Sequence, residues 1–175
     1  MRRRAVPEAI HILLADDEAE YAATIAQLLG RRGMLVITVC DGVAALAALA
    51  EHEFDVILLD LRMPRLDGLA TLAEIRKRDT LTPVLLLSGQ ADLPSVTAAL
   101  RDGAADFLAK PCPVETLVSA IEDASERKAY ARDLASRTGE LPPARSGRPA
   151  GRPPQPGGTG QSPSAGGRDP RPAKE

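Results

Sequence analysis

Short and almost wholly apolar runs recur along this chain, and they restrict its fold more than any other feature of the sequence. Four of the runs show no polar alternation, and a fifth is rich in β-branched residues. A strand without alternation is buried on both faces, as in a parallel sheet that helices cover on each side. The runs occupy residues 10–15, 34–40, 55–59, 83–87 and 104–109.

The intervals after the runs carry apolar residues three or four positions apart, which predicts one helix in each interval. Five strand–helix units in about 125 residues predict a doubly wound α/β domain: a five-stranded parallel sheet with helices on both faces. Asp41, Asp67 and Asp92 are placed to cap helices two, three and four, and Gly33 and Gly103 stand where helices one and four should end. The periodic residues are Ile25, Leu28 and Leu29; Val43, Leu46, Ala47 and Leu49; Leu69, Leu72 and Ile75; Val96, Ala99 and Leu100; and Val114, Leu117, Val118 and Ile121.

Composition divides the chain into four segments. We predict a flexible N-terminus at 1–9, one folded domain at 10–124, an extension of the last helix at 125–138, and a disordered tail at 139–175. The tail holds nine of the 15 prolines, eight of the 14 glycines and a single leucine. It therefore has too little apolar surface to offset the entropy of ordering the chain, and we expect no second folded domain.

The helix extension allows two interpretations. Beyond residue 124 its apolar residues thin out to Tyr130 and Leu134, which stand among charged side chains. The segment is either an exposed helix end or a surface that pairs with another chain, and the sequence leaves both open.

Charge and cysteine usage indicate the compartment and exclude some partners. The net charge is -2 and the chain has four aromatic residues, which argues against nucleic-acid binding by the folded part. Cys40 and Cys112 lack the spacing of a metal site and fit a reducing cytosol. The apolar run behind the N-terminal arginines is too short for an export signal or a membrane span. We expect a cytoplasmic protein without membrane association or direct DNA binding.

Polar residues end four of the predicted strands. Asp16 and Asp17 end strand one, Asp60 strand three, Ser88 strand four and Lys110 strand five. In an open parallel sheet, ligands bind beyond the carboxyl ends of the strands. The side chains converge only if strands one and three are neighbours, which predicts the flavodoxin-like order 2-1-3-4-5.

These residue types suit phosphoryl transfer to an aspartate. Three crowded carboxylates raise one another's pKa unless a cation lies among them, and hard oxygen ligands at an open site favour Mg²⁺. The ion would screen the charge that a phosphoryl group brings. Ser88 offers a hydroxyl donor and Lys110 a mobile positive charge. A carboxylate nucleophile, a metal ion and a cationic side chain are the parts that this chemistry needs.

Residues 10–124 resemble the receiver domain of two-component response regulators. The resemblance rests on four strings: ILLADDE at 12–18, DLRMPRLDG at 60–68, LSG at 87–89 and GAADFLAKP at 103–111. The string that runs from Asp60 through Met63 and Pro64 to Gly68 is very specific, and the four together are more so.

The resemblance implies a role for each site residue. Asp60 would take a phosphoryl group from a phosphohistidine on a sensor histidine kinase. Asp17, Asp60 and the backbone carbonyl of Arg62 would bind Mg²⁺, and Asp16 would act through water or by orienting the site. Ser88 and Lys110 would grip the phosphoryl oxygens, and the peptide bond between Lys110 and Pro111 would be cis.

The resemblance also implies a conformational switch. Phe107 would turn inward when Ser88 moves toward the phosphoryl group, and the surface of helix four, strand five and helix five would then change for a partner. The domain would catalyse only its own phosphorylation and dephosphorylation. The downstream protein is unknown, and a phosphorylation-dependent homodimer is left open.

Four other functions remain as alternatives. The chain could be a phosphorelay intermediate or a phosphate sink, or it could bind partners without being phosphorylated. A haloacid-dehalogenase-like phosphatase also uses an aspartate nucleophile on a doubly wound sheet, but its nucleophile ends the first strand in an Asp-x-Asp arrangement. Here strand one ends in Asp16, Asp17 and Glu18, and the isolated Asp60 ends strand three.

Overall fold

The computed structural model of the chain describes residues 9–79, 81–89 and 93–138, which form five strands alternating with five helices. The strands are β1 His11–Ala15, β2 Leu35–Val39, β3 Val56–Asp60, β4 Val84–Ser88 and β5 Asp106–Ala109. The helices are α1 Ala19–Gly30, α2 Gly42–Glu51, α3 Gly68–Arg78, α4 Leu93–Arg101 and α5 Val114–Thr138. The flexible N-terminus, apart from residue 9, and the tail predicted at 139–175 lie outside the described residues, so both stay predictions.

The strands form one parallel sheet in the order β2-β1-β3-β4-β5, which confirms the predicted fold class. β1 lies between β2 and β3, with Leu13 opposite both Ile37 and Ile57. β3 and β4 are buried along their whole length, as their uniform apolar sequences predict. This order brings the carboxyl ends of β1, β3, β4 and β5 to one edge of the sheet.

Helices cover both faces of the sheet, and alternate strand residues belong to two separate cores. On one face Ile12 and Leu14 pack with the apolar residues of α1 and α5. On the other face Leu13 and Ala15 pack with those of α2, α3 and α4. The central strands β1, β3 and β4 lack polar alternation because each face has its own apolar layer.

Helix ends in the described residues follow the predicted capping pattern. Asp41 accepts a hydrogen bond from the Ala44 backbone N–H at 2.9 Å, and Asp67 accepts one from the Ala70 N–H at 2.8 Å. Gly33 and Gly103 adopt φ values of 81° and 101°, which a residue without a side chain adopts at little cost. The predicted cap at Asp92 falls outside the described residues.

Helix α5 continues for several turns beyond its packing against the sheet. Its 25 residues give a length of about 37 Å, and its last fully buried apolar residue is Ala124. Further along, the Lys128 ammonium donates hydrogen bonds to the Phe54 carbonyl and to Thr82 Oγ1, which ties the helix to the sheet edge opposite the carboxyl ends. Tyr130 is 70% exposed and Leu134 39% exposed. Pairing of this segment with another chain therefore stays a prediction.

Among the described helices, none combines the length and the apolar composition needed to cross a membrane.

Candidate functional site

The predicted site residues meet at the carboxyl edge of the sheet. Asp16 directly follows β1, and its backbone N–H donates to the Val39 carbonyl at 3.0 Å. Asp60 is the last residue of β3, and Ser88 is the last residue of β4. Lys110 follows β5, and its backbone N–H donates to the Ser88 carbonyl at 3.0 Å. The ends of four strands thus position these side chains at one edge of the sheet.

Three carboxylates form an acidic cluster at this edge. Asp16, Asp17 and Asp60 each place one carboxylate oxygen within 4.8 Å of the other two. Asp16 and Asp60 are buried, while Asp17 is exposed. Asp16 Oδ1 accepts a hydrogen bond from the Glu18 N–H at 2.9 Å, and Asp60 Oδ1 accepts a longer one from the Arg62 N–H at 3.4 Å. A cluster of hard oxygen donors with one solvent-facing member fits a divalent cation such as Mg²⁺.

The Lys110 ammonium is surrounded by carboxylates. Its Nζ atom lies 2.6 Å from Asp16 Oδ2, 3.1 Å from Glu18 Oε1 and 3.3 Å from Asp60 Oδ2. The contact with Asp16 is one between opposite charges and lacks the direction of a hydrogen bond. Only 8% of the Lys110 side chain is exposed, and its peptide bond to Pro111 is cis, as expected.

Burial and charge oppose each other at both ends of the contact between Lys110 and Asp60. Burial raises the pKa of Asp60 above its ordinary value, because it disfavours the charged carboxylate. The Lys110 charge and the Arg62 N–H lower that pKa, and the Asp16 charge raises it, so the pKa stays raised overall. Burial alone would lower the pKa of Lys110, but its contacts with Asp16, Asp60 and Glu18 outweigh burial and raise it. Lys110 therefore stays positively charged. Its charge does not fully offset the cost of burying the Asp60 carboxylate.

The remaining predicted residues lie around this cluster. Ser88 is buried with 2% exposure and stands opposite Ala109 in the register of β4 and β5. Arg62 is exposed, and its backbone N–H makes the contact with Asp60 that is described above. Phe107 is half-buried and packs against the core shared with α2, α3 and α4.

Two contacts of the site are absent from the sequence-based expectations. Glu18 reaches Lys110 at 3.1 Å although its side chain is 65% exposed. The Tyr21 ring centroid lies 4.4 Å from Lys110 Nζ, within the range of a cation–π interaction. Tyr21 is four residues after Asp17, one helical turn away, and this spacing is the only sequence signal for it.

A further contact joins two loops near the site. The Arg65 guanidinium pairs with the Asp41 carboxylate, which also caps α2. Arg65 has a φ of 65°, a left-handed conformation that is uncommon for a residue with a side chain. The loop after Asp60 is thereby tied to the start of α2.

Two concave regions differ in their relation to the chemistry. A depression of about 570 Å³ opens beside the cluster and is lined by Asp17, Leu61, Arg62, Met63, Pro64, Asp67, Leu69 and Ser95. A cavity of about 360 Å³ lies at the opposite end of the sheet, near Phe54, Thr82 and Lys128, and none of the predicted site residues lines it. Of these two regions, the depression is the one that has a carboxylate of the cluster, that of Asp17, in its wall.

Comparison with known proteins relates the chain to one protein family. Residues 12–122 match the family described as "Response regulator receiver domain". The transcriptional regulatory protein GlrR of Escherichia coli is 35% identical over 123 residues, which are 70% of this chain and 28% of GlrR. The transcriptional regulatory protein FixJ of Bradyrhizobium diazoefficiens is 33% identical over 140 residues, which are 76% of this chain and 68% of FixJ.

Solved structures agree with this pattern. The receiver domain of NtrX from Brucella abortus superposes with a TM-score of 0.63 at 36% identity, covering 66% of this chain and 98% of that domain. The receiver domain of the Francisella response regulator 1452 gives a TM-score of 0.64 at 30% identity, covering 67% of this chain and 98% of that domain. The chain therefore spans nearly the whole of isolated receiver domains but about a quarter of the length of GlrR.

Proposed function

The chain belongs to the response regulator receiver family, and from this premise we propose that Asp60 accepts a phosphoryl group from a sensor histidine kinase. The observation that carries the proposal is the position of Asp60. Its carboxylate is buried at the end of β3, shares a cluster with Asp16 and Asp17, and has Lys110 Nζ at 3.3 Å. A nucleophilic oxygen, a cation site and a permanent positive charge are thus adjacent.

The proposed transfer is a displacement at phosphorus. An oxygen of the Asp60 carboxylate forms a bond to the phosphorus of the donor, and the bond from phosphorus to the donor imidazole nitrogen breaks. The electron pair of that bond stays on the imidazole, which leaves as the neutral base after taking up a proton. The product is an acyl phosphate on Asp60, which replaces the single negative charge of the carboxylate by about two on the phosphoryl group, in a cluster that is already acidic.

Asp16, Asp17 and Asp60 would hold Mg²⁺, together with the backbone carbonyl of Arg62. When bound, the ion supplies positive charge that offsets the repulsion between the carboxylates and the phosphoryl oxygens. Asp17 is the exposed member of the cluster, so it is the residue through which the site can exchange a cation with solvent.

Lys110 and Ser88 would then bind the phosphoryl oxygens. Lys110 Nζ is nearer to Asp16 than to Asp60, at 2.6 Å against 3.3 Å, and we propose that it moves from Asp16 toward the new group. Because the Lys110 backbone donates to the Ser88 carbonyl, the two residues are held side by side at the ends of β4 and β5. We propose that a shift of Ser88 allows Phe107 to turn inward and changes the surface of α4, β5 and α5 for a downstream protein.

The domain would catalyse its own phosphorylation and the loss of its own phosphoryl group, and no reaction on another substrate. We propose a cytoplasmic location, because a histidine kinase draws its phosphoryl group from ATP in that compartment.

GlrR and FixJ are named transcriptional regulatory proteins, and GlrR is far longer than this chain. A role as a phosphorelay intermediate or phosphate sink fits the same site, and the phosphoryl acceptor is Asp60 in each case.

Intact-mass spectrometry tests the acceptor. The protein incubated with Mg²⁺ and acetyl phosphate should gain the mass of one phosphoryl group, and the Asp60→Asn protein should gain none. Asp123→Asn is the matched control, because Asp123 is exposed on α5 and lies outside the cluster. Equal labelling of the wild-type and Asp60→Asn proteins would place the acceptor elsewhere and remove the proposal.

A further inference from the structure

The Lys110 ammonium contacts a fourth group besides its three carboxylates. The Tyr21 ring centroid lies 4.4 Å from Nζ, inside the distance of about 6 Å at which the face of an aromatic ring attracts a cation. Because the Lys110 side chain is only 8% exposed, this contact is largely shielded from water. A shielded cation–π contact is stronger than one at a solvent-exposed site.

Tyr21 is held in place by its helix and by the core. It lies in the first turn of α1, and its half-buried side chain packs against the apolar cluster shared by α1 and α5. Its hydroxyl oxygen is buried and has no hydrogen-bond partner among the described residues. The contact of Tyr21 with the site is made by the face of its ring.

We propose that Tyr21 is a positioning residue for phosphoryl transfer, and that its ring face keeps the Lys110 ammonium within reach of the group formed on Asp60. The inference rests on the proposed function, since it concerns how Lys110 reaches the phosphoryl oxygens. Tyr21 would act through Lys110 and would not touch the reacting atoms.

The physical argument is that Lys110 must loosen one contact to serve the new group and can keep the other. The ion pair with Asp16 at 2.6 Å weakens as the ammonium moves toward a group on Asp60. Nζ lies 4.4 Å from the Tyr21 ring centroid, and the attraction acts within about 6 Å, so a small shift of Nζ preserves this contact. A lysine that exchanges one anion for another thus keeps its contact with the Tyr21 ring during the exchange. The ring also limits the other positions open to a flexible four-carbon side chain.

Two substitutions separate the ring from the hydroxyl. Tyr21→Phe keeps the ring face and should label with acetyl phosphate and Mg²⁺ within about twofold of wild type. Tyr21→Leu keeps an apolar side chain but removes the ring, and its maximal labelling rate should fall about fivefold, which corresponds to roughly 1 kcal/mol. Leu28→Ala is the matched control, because Leu28 is a half-buried leucine on the same helix about two turns beyond Tyr21; its labelling rate should stay at the wild-type value.

A double-mutant cycle distinguishes positioning from general loss of structure. In a Lys110→Met background, Tyr21→Leu and Tyr21→Phe should label at the same rate, because the ring has no ammonium to hold. The same fivefold difference in both backgrounds would overturn the inference. Labelling of wild type at Asp60 with no difference between Tyr21→Leu and Tyr21→Phe would also overturn it while leaving the proposed function intact. Failure to label Asp60 at all would remove the proposed function first.

A spectroscopic measurement tests the contact without phosphorylation. The chain has two tyrosines and no tryptophan, so Tyr130→Phe makes Tyr21 the only source of tyrosine emission. Adding Lys110→Met to this protein should change the Tyr21 emission, because the charge over the ring is removed. An unchanged emission spectrum would mean that the two side chains do not touch in solution, and the inference would fall.

Discussion

The Nζ atom of Lys110 lies 3.3 Å from Oδ2 of Asp60, although the two residues stand 50 positions apart in the chain. They extend from β5 and β3, which are separated in the sheet by β4. The contact does not fully compensate the burial of Asp60, because the pKa of Asp60 remains above its ordinary value. Without a metal ion, the charge on Asp60 therefore destabilises the folded protein.

The first prediction is that Asp60→Asn stabilises the protein near neutral pH when divalent cations are removed by a chelator. The folded state raises the pKa of Asp60, so it favours the protonated carboxyl over the charged one. The resulting stabilisation is fully present below the unfolded-state pKa of about 3.9, and it is lost as pH rises through the folded-state pKa. Asparagine carries no charge and escapes this loss. In urea unfolding between about pH 3.5 and 7, the unfolding free energy of the variant minus that of wild type should increase as pH rises.

Asp123→Asn is the control for this series, because Asp123 is exposed on α5. Its unfolding free energy should stay within about 0.5 kcal/mol of wild type. If Asp60→Asn proves less stable than wild type at pH 7, the attraction to Lys110 outweighs the burial of the carboxylate, and the electrostatic account of the site is wrong.

The second prediction concerns the cation site. Mg²⁺ should raise the melting temperature of wild type, because it binds the clustered carboxylates of the folded state; at one hundred times its dissociation constant it adds about 2.7 kcal/mol. Asp17→Asn should melt at the wild-type temperature without Mg²⁺, since its side chain is exposed, and should lose most of the rise with Mg²⁺. Thermal unfolding across a Mg²⁺ titration measures both values.

A second exposed acid provides the comparison for the Mg²⁺ titration. Glu20→Gln lies on α1, outside the cluster, and should keep the full response to Mg²⁺. A full response in Asp17→Asn would instead show that the cation binds away from Asp17, and the proposed ligand set would have to be abandoned.

Most of the fold could be predicted because each strand carries its own signal. β3 and β4 are apolar throughout, and a strand that is buried on both faces needs that composition. The strand order followed from the requirement that Asp16 and Asp60 meet, which holds only when β1 and β3 are neighbours. The limits of the strands were predicted less accurately. Ala104 and Ala105 belong to the apolar run predicted as the fifth strand, but β5 begins only at Asp106.

The site could be predicted only where its residues end a strand. Asp16, Asp60, Ser88 and Lys110 converge because the sheet brings strand ends together. Tyr21 could not be found in the same way, since the sequence does not tell which side of the first helical turn faces Lys110.

The ion pair between Arg65 and Asp41 could not be predicted from the sequence either. It depends on the left-handed conformation of Arg65, which the sequence does not signal, because glycine is the residue that usually adopts it.

The third prediction concerns this pair and the cap of α2. Asp41 is buried, accepts the Ala44 N–H and pairs with Arg65, whereas Asp67 is exposed and caps α3 without an ion pair among the described contacts. Asp41→Ala should lower the unfolding free energy by about 2 kcal/mol and Asp67→Ala by about 1 kcal/mol. Asp41→Asn, which keeps the capping oxygen, should fall between Asp41→Ala and wild type in urea unfolding. Equal losses for both alanine variants would show that Arg65 contributes nothing.

The last prediction concerns Arg76, whose guanidinium joins three segments at the end of the sheet opposite the site. It donates to the carbonyls of Gly103 at 3.0 Å, Asp79 at 3.0 Å and Thr82 at 2.9 Å, and its burial lowers its pKa. Arg76→Met would leave these carbonyls without their donor, so the unfolding free energy should fall by about 3 kcal/mol in urea. Arg78→Met, on the exposed side of the same helix, should change it by no more than about 0.5 kcal/mol. A similarly small loss in Arg76→Met would mean that water replaces the guanidinium, because only then would the three carbonyls keep their hydrogen bonds.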